Sequence, residues 1–66
     1  MRIQLNGEEH EVGGSLSVAG LIESFGFDRR KVAVERNFEI VPRSIYDQTL
    51  LAPGDRLEIV RFVGGW

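Results

Sequence analysis

The chain reads as one α+β domain, a small mixed sheet with one main helix packed on one face. Three observations predict it. Apolar and polar residues alternate with period two at the start, give way to a single amphipathic segment of period 3.6, and return to period two toward the end. The last strand-like segment carries apolar residues on both faces, as a strand inside a sheet does. An opening hairpin that leads into a right-handed helical crossover sets the first and last strands side by side and parallel at the sheet centre.

The elements follow in order. Ile3 and Leu5 alternate with Arg2 and Gln4, the pattern of a half-buried strand. Asn6-Gly7 suits a type I′ turn, since both residue types tolerate positive φ. The return strand, Glu8 to Val12, is mostly polar, with only Val12 and His10 to turn inward. Gly13-Gly14 ends it as a turn, because no phosphate-loop pattern follows. Ser17 is placed to cap a helix. Val18, Leu21, Ile22 and Phe25 then form one apolar stripe, expected to bury against Ile3, Leu5, Val34, Leu57 and Ile59. Leu16 and Leu21 have the spacing of a hydrophobic staple. Gly20 inside the helix costs about 1 kcal/mol relative to alanine, so packing must hold the segment. Gly26 stops the helix, giving it a length of about nine residues.

Val32-Ala33-Val34 opens the next strand, which continues through Glu35-Arg36 to the turn residue Asn37. Glu39-Ile40-Val41 is a short strand ended by Pro42, which has no N–H for a ladder. Ser44 to Asp47 suits a single helical turn, with Tyr46 as a packed aromatic. Pro53-Gly54 fits the centre of a type II turn. The longest strand runs from Arg56 to Val63, with Leu57, Ile59 and Val63 on one face and Val60 and Phe62 on the other. Val60 and Phe62 are either core or an exposed apolar patch opposite Leu57 and Ile59. Since such patches mark interaction surfaces, Val60, Phe62 and the neighbouring Val63 are the candidate partner-binding residues.

Composition narrows the function. The chain has 66 residues, 42% of them apolar, a net charge of −2 and no cysteine. One domain that folds by hydrophobic burial alone is expected, with no disulfide and no thiolate chemistry. Charges of both signs are interspersed, which argues against nucleic acid as a partner. There is no apolar run long enough for a membrane span or a signal peptide, so no membrane role and a cytoplasmic location are expected. His10 has no cysteine or second histidine to join it at a metal, and Ser44, Tyr46 and Asp47 have no suitable base for nucleophilic work. Arg29-Arg30-Lys31 reads as a solvated charge run in preference to a docking site.

The most informative segment is the last, Phe62-Val63-Gly64-Gly65-Trp66. A glycine pair there adds no contacts and has the most conformational freedom to lose on ordering. It supplies a backbone thin enough to thread a narrow channel, so residues 64–66 are expected to be a flexible working tail on the single domain 1–66.

The Asn6-Gly7-Glu8 turn, Val32-Ala33-Val34 with Asn37, Ile40-Val41-Pro42-Arg43, the Gly54-Asp55 turn and the strand running into glycine together resemble the bacterial sulfur-carrier family of thiamine (thiazole) biosynthesis. That resemblance implies the ubiquitin-like β-grasp fold. It also implies a C-terminal glycine carboxylate adenylated by a ubiquitin-activating-type adenylyltransferase with ATP. A sulfur donor then converts it to a thiocarboxylate, from which thiazole synthase takes sulfur. The chain would itself be a carrier and not an enzyme, binding no cofactor. Gly64 and Gly65 would be the tail residues concerned. Trp66 stands where the family's last glycine is expected: either it is trimmed to leave Gly65 terminal, or it replaces that glycine. Two other readings share the pattern, a molybdopterin-synthase small subunit with the same tail chemistry and a β-grasp interaction module with an inert tail. The short length and the aromatic Tyr46 after Val41-Pro42-Arg43 favour the thiamine carrier.

Overall fold

The computed structural model describes residues 1–61 of the chain. The expectations for Phe62, Val63, Gly64, Gly65 and Trp66 lie outside them. Strands β1 (Arg2–Leu5) and β2 (Glu8–Glu11) form the opening hairpin, helix α1 covers Val18–Ser24, and strands β3 (Val32–Arg36), β4 (Glu39–Ile40) and β5 (Arg56–Arg61) follow. The sheet order is β2-β1-β5-β3-β4, with β1 parallel to β5 and the other pairs antiparallel. The first and last of these strands are thus adjacent and parallel, as expected, and β5 is central.

Local chemistry sets each boundary. Asn6 and Gly7 have φ of 50° and 84°, the positive pair that a type I′ turn requires. The Ser17 hydroxyl accepts a hydrogen bond from the Gly20 N–H at 3.0 Å, the N-cap arrangement. At the other end Gly26 has φ of 78°, its N–H reaches the Glu23 carbonyl, and the Phe27 N–H reaches the Ile22 carbonyl at 3.1 Å. That pair of bonds is a Schellman motif, and its apolar partner, Phe27, packs on the core. A Cβ at Gly20 would lie 2.8 Å from Leu16 Cδ1, so a side chain there would require the end of Leu16 to shift. The Asp55 N–H bonds the Ala52 carbonyl around Gly54, whose φ is 84°, closing the type II turn.

The core lies between α1 and the inner face of the sheet. Ile3, Leu5, Val18, Leu21, Ile22, Val34, Leu57 and Ile59 are all buried, joined by Ala19, Val32, Val41, Tyr46 and Leu51. Phe25 is the exception to the expected stripe, at 37% exposed. The helix is seven residues long, shorter than its periodicity suggests, and Phe25 is its C-cap. The chain has begun to turn at Gly26, so Phe25 swings to the rim and meets the edge of the His10 ring, while Phe27 takes the inward place. Two smaller shifts accompany this one. Strand β2 ends at Glu11, and the helical turn before Tyr46 is a 3₁₀ turn over Arg43–Ile45.

Candidate functional site

Strand β5 leads toward the glycine pair, so the site is built from what holds β5 and surrounds its end. At its start, Asp55 is buried and accepts hydrogen bonds from Arg36 Nε at 2.8 Å, Asn37 Nδ2 at 3.2 Å and the Ala52 N–H at 2.8 Å. Burial pushes its carboxyl up, but the bonds from Ala52, Arg36 and Asn37 outweigh that and hold it below the ordinary aspartate value. The Arg56 N–H donates to Asn37 Oδ1 at 3.0 Å. One turn residue thus ties the β3–β4 hairpin to the base of β5.

Further along, β1 supports one side of β5 through the parallel partners Gln4 with Arg56 and Leu5 with Leu57. The strand β1 ends there, yet the ladder continues. The Asn6 side chain accepts from the Ile59 N–H at 2.8 Å and donates to the Ile59 carbonyl at 3.3 Å. A side-chain amide presents the same donor and acceptor as a peptide group, so Asn6 supplies the next rung after β1 has turned away. On the other side β3 continues to the partner pair Val32 and Arg61. Ile59 is held from both sides, whereas Arg61 has a strand partner on the β3 side alone.

The end of β5 has two different faces. On the helix side, beyond Leu57 and Ile59, the Arg61 guanidinium lies 5.4 Å from the centre of the Phe27 ring. The Val32 carbonyl beside it accepts from Arg43 Nη2 at 3.3 Å and from the Tyr46 hydroxyl at 3.4 Å. The open face carries Val60, 57% exposed, opposite Ala33 in register. Of the residues singled out for partner binding, Val60 alone lies among the described ones.

The charge run Arg29-Arg30-Lys31 is a 3₁₀ turn that leads directly into Val32. Arg29 makes a two-pronged pair with Asp47, both contacts at 2.9 Å, and Arg30 pairs with its N-cap Asp28. The Arg29 hydrogen bonds hold the Asp47 carboxyl below its ordinary value. Among the described residues no cluster of His, Asp or Glu could hold a metal ion, and no helix is long and apolar enough to cross a membrane. His10 lies beside Glu8 and Phe25 on the edge strand β2, with β1 between it and β5.

Sequence reasoning found β5 and its outward Val60 but missed Asn6 as a ladder partner and Arg61 as a neighbour of Phe27. Asn6 carried only a turn signal. Its second role becomes visible once Leu5 is known to lie beside Leu57.

The family model described as the ThiS family matches residues 3–65 of the chain. The sulfur carrier protein ThiS of Bacillus subtilis is 36% identical over 67 aligned positions, covering 96% of this chain and 97% of that one. The thiazole synthase of Paramagnetospirillum magneticum is 52% identical over 65 residues, covering 98% of this chain, which spans 20% of that protein's length. The crystal structure of the thiamine biosynthesis protein ThiS from Geobacter metallireducens superposes over the whole of both chains with a TM-score of 0.84 at 32% identity. The fold is accordingly the β-grasp arrangement.

Proposed function

Because the chain belongs to the ThiS family, we propose that it is a sulfur carrier of thiamine biosynthesis whose working group is the carboxylate at the end of the Gly64-Gly65 tail. The observation that carries this reading is the extent of the match, which runs from β1 through the fold and reaches Gly65. The likeness to a segment of a thiazole synthase supports that enzyme as the acceptor of the sulfur.

The chemistry asks little of the carrier itself. A carboxylate oxygen of the tail attacks the α-phosphate of ATP on an adenylyltransferase, releasing pyrophosphate. Hydrosulfide-level sulfur from a donor then attacks the acyl carbon, AMP leaves with its electron pair, a proton is lost and a thiocarboxylate remains. Sulfur delivered as a persulfide gives an acyl disulfide first, which a second thiol reduces to the thiocarboxylate as it forms a disulfide with the donor. Adenylation matters because a free carboxylate is a poor electrophile until one oxygen becomes a good leaving group. Glycine has no Cβ to obstruct either attack. Val60, exposed on the open face of β5, is the described residue against which a partner would seat the strand, and the catalytic groups belong to the partners.

The test compares the intact chain, a form ending at Gly65, and Trp66→Gly with the cognate adenylyltransferase, ATP and a sulfur donor, read by intact mass. The glycine-ended forms should gain the mass of one oxygen-to-sulfur exchange. The intact chain should react more slowly, since a misplacement of 1 Å at a reacting centre costs on the order of 100-fold. Equal reaction of the intact chain would show that the activating site accepts an indole. If an active cognate enzyme adenylates none of the three, the carrier reading fails and a β-grasp interaction module with an inert tail takes its place.

A further inference from the structure

Resting on the carrier reading, we propose that the cations gathered around the end of β5 form a docking collar that seats on an acidic rim of the adenylyltransferase, around the mouth of the channel that takes up the tail. The sequence alone favours a solvated charge run at Arg29-Arg30-Lys31 over a docking site. The fold brings that run to the end of β5, because Lys31 precedes Val32 and Val32 is the register partner of Arg61. Arg43 reaches the same point through the Val32 carbonyl. Arg30, Lys31, Arg43 and Arg61 are all solvent-exposed.

The local balance of charge opposes that of the whole chain. Five cations meet three carboxylates here, Asp28, Asp47 and Glu23, the last of which acts on Arg29 through space. This end is positive although the chain carries −2. On the other side of β5 from β3, the β1–β2 hairpin bears Glu8, Glu9 and Glu11 against Arg2. A molecule polarised in this way approaches a negative surface with its tail end first.

Reach limits where on the adenylyltransferase the collar seats. Four residues of fully extended chain, the sequence separation of Arg61 from Gly65, reach at most about 13–14 Å, further than an arginine side chain extends. The collar therefore faces the rim of the channel and not the nucleotide phosphates at the tail's end. A modest positive excess on an acidic chain also does not suit a nucleic-acid backbone.

The experiment measures carrier-dependent ATP–pyrophosphate exchange by the cognate adenylyltransferase, using whichever of the intact and Trp66→Gly forms is adenylated, at low and high salt. The double reversal Lys31→Glu/Arg61→Glu should raise the KM for the carrier about tenfold at low ionic strength. It should leave kcat within about twofold and flatten the salt dependence. Lys31→Arg/Arg61→Lys should behave as the parent, and the charge-removing Glu8→Gln/Glu9→Gln on the β1–β2 hairpin should not raise KM. Circular dichroism melts check that the variants fold; if the double reversal melts early, Arg30→Gln/Lys31→Gln tests the same charge outside the strand ladder. An unchanged KM with a folded variant overturns the collar, as does a fall in kcat at constant KM. A rise in KM that salt does not alter also overturns it. Failure of every form to be adenylated overturns the carrier reading itself, and the collar with it.

Discussion

Asp55 shows how one side chain can organise a strand. Its carboxylate gathers an arginine, an asparagine amide and a backbone N–H in a buried place where water cannot replace them. Asp55→Asn keeps the shape but removes the charge and turns an amide donor toward other donors, so it should cost about 2 kcal/mol at neutral pH. The pH dependence has a definite sign. The folded carboxyl lies below its ordinary value, so its contribution is complete above the unfolded aspartate range of about 4 and is lost as pH falls through the folded value. Urea unfolding of the two proteins should show a gap that narrows in acid; a constant gap would assign the loss to shape and not to charge. None of this was legible in the sequence, where Gly54-Asp55 signals a turn and nothing links it to Arg36. Phe38 was equally hidden. It occupies the second position of the β3–β4 turn with φ of 71°, where glycine is the usual residue, and its ring lies 4.7 Å from the Arg56 guanidinium.

At the scale of elements, the helix separates what periodicity determines from what it does not. Val18, Leu21 and Ile22 are buried as their spacing requires, because they fall within the turns that face the sheet. The end of the stripe is set by the Schellman motif, and the choice between Phe25 and Phe27 depends on where the chain leaves helical geometry. Leu21→Ala should therefore cost 2–5 kcal/mol by opening a cavity, while Phe25→Ala should cost only about 1 kcal/mol for a half-exposed ring. Urea midpoints of the two variants give the comparison, and equal losses would return Phe25 to the core. The strands were easier to read than the helix end. Period two and the turn residues Asn6-Gly7, Asn37 and Gly54 mark them from neighbours close in sequence, whereas the Asn6 contact with Ile59 joins residues 53 apart and has no local signature.

Over the whole molecule, fold and tail separate cleanly in the sequence. Among the described residues every buried core residue lies between Ile3 and Ile59, so deleting residues 64–66 should leave the urea midpoint and m-value unchanged while, on the carrier reading proposed above, abolishing adenylation. A lower midpoint would show that the tail packs on the domain. The direction of β5 beside β1 also has a mechanical consequence. A pull on the C-terminal end, such as a protein drawing the tail into a channel exerts, acts along the axis of β5. The bonds made by the Gln4 N–H, the Asn6 N–H and the Asn6 side chain lie across that axis. They are loaded together in shear and do not open one after another like a zipper. The domain can be held by its tail without being unravelled from it.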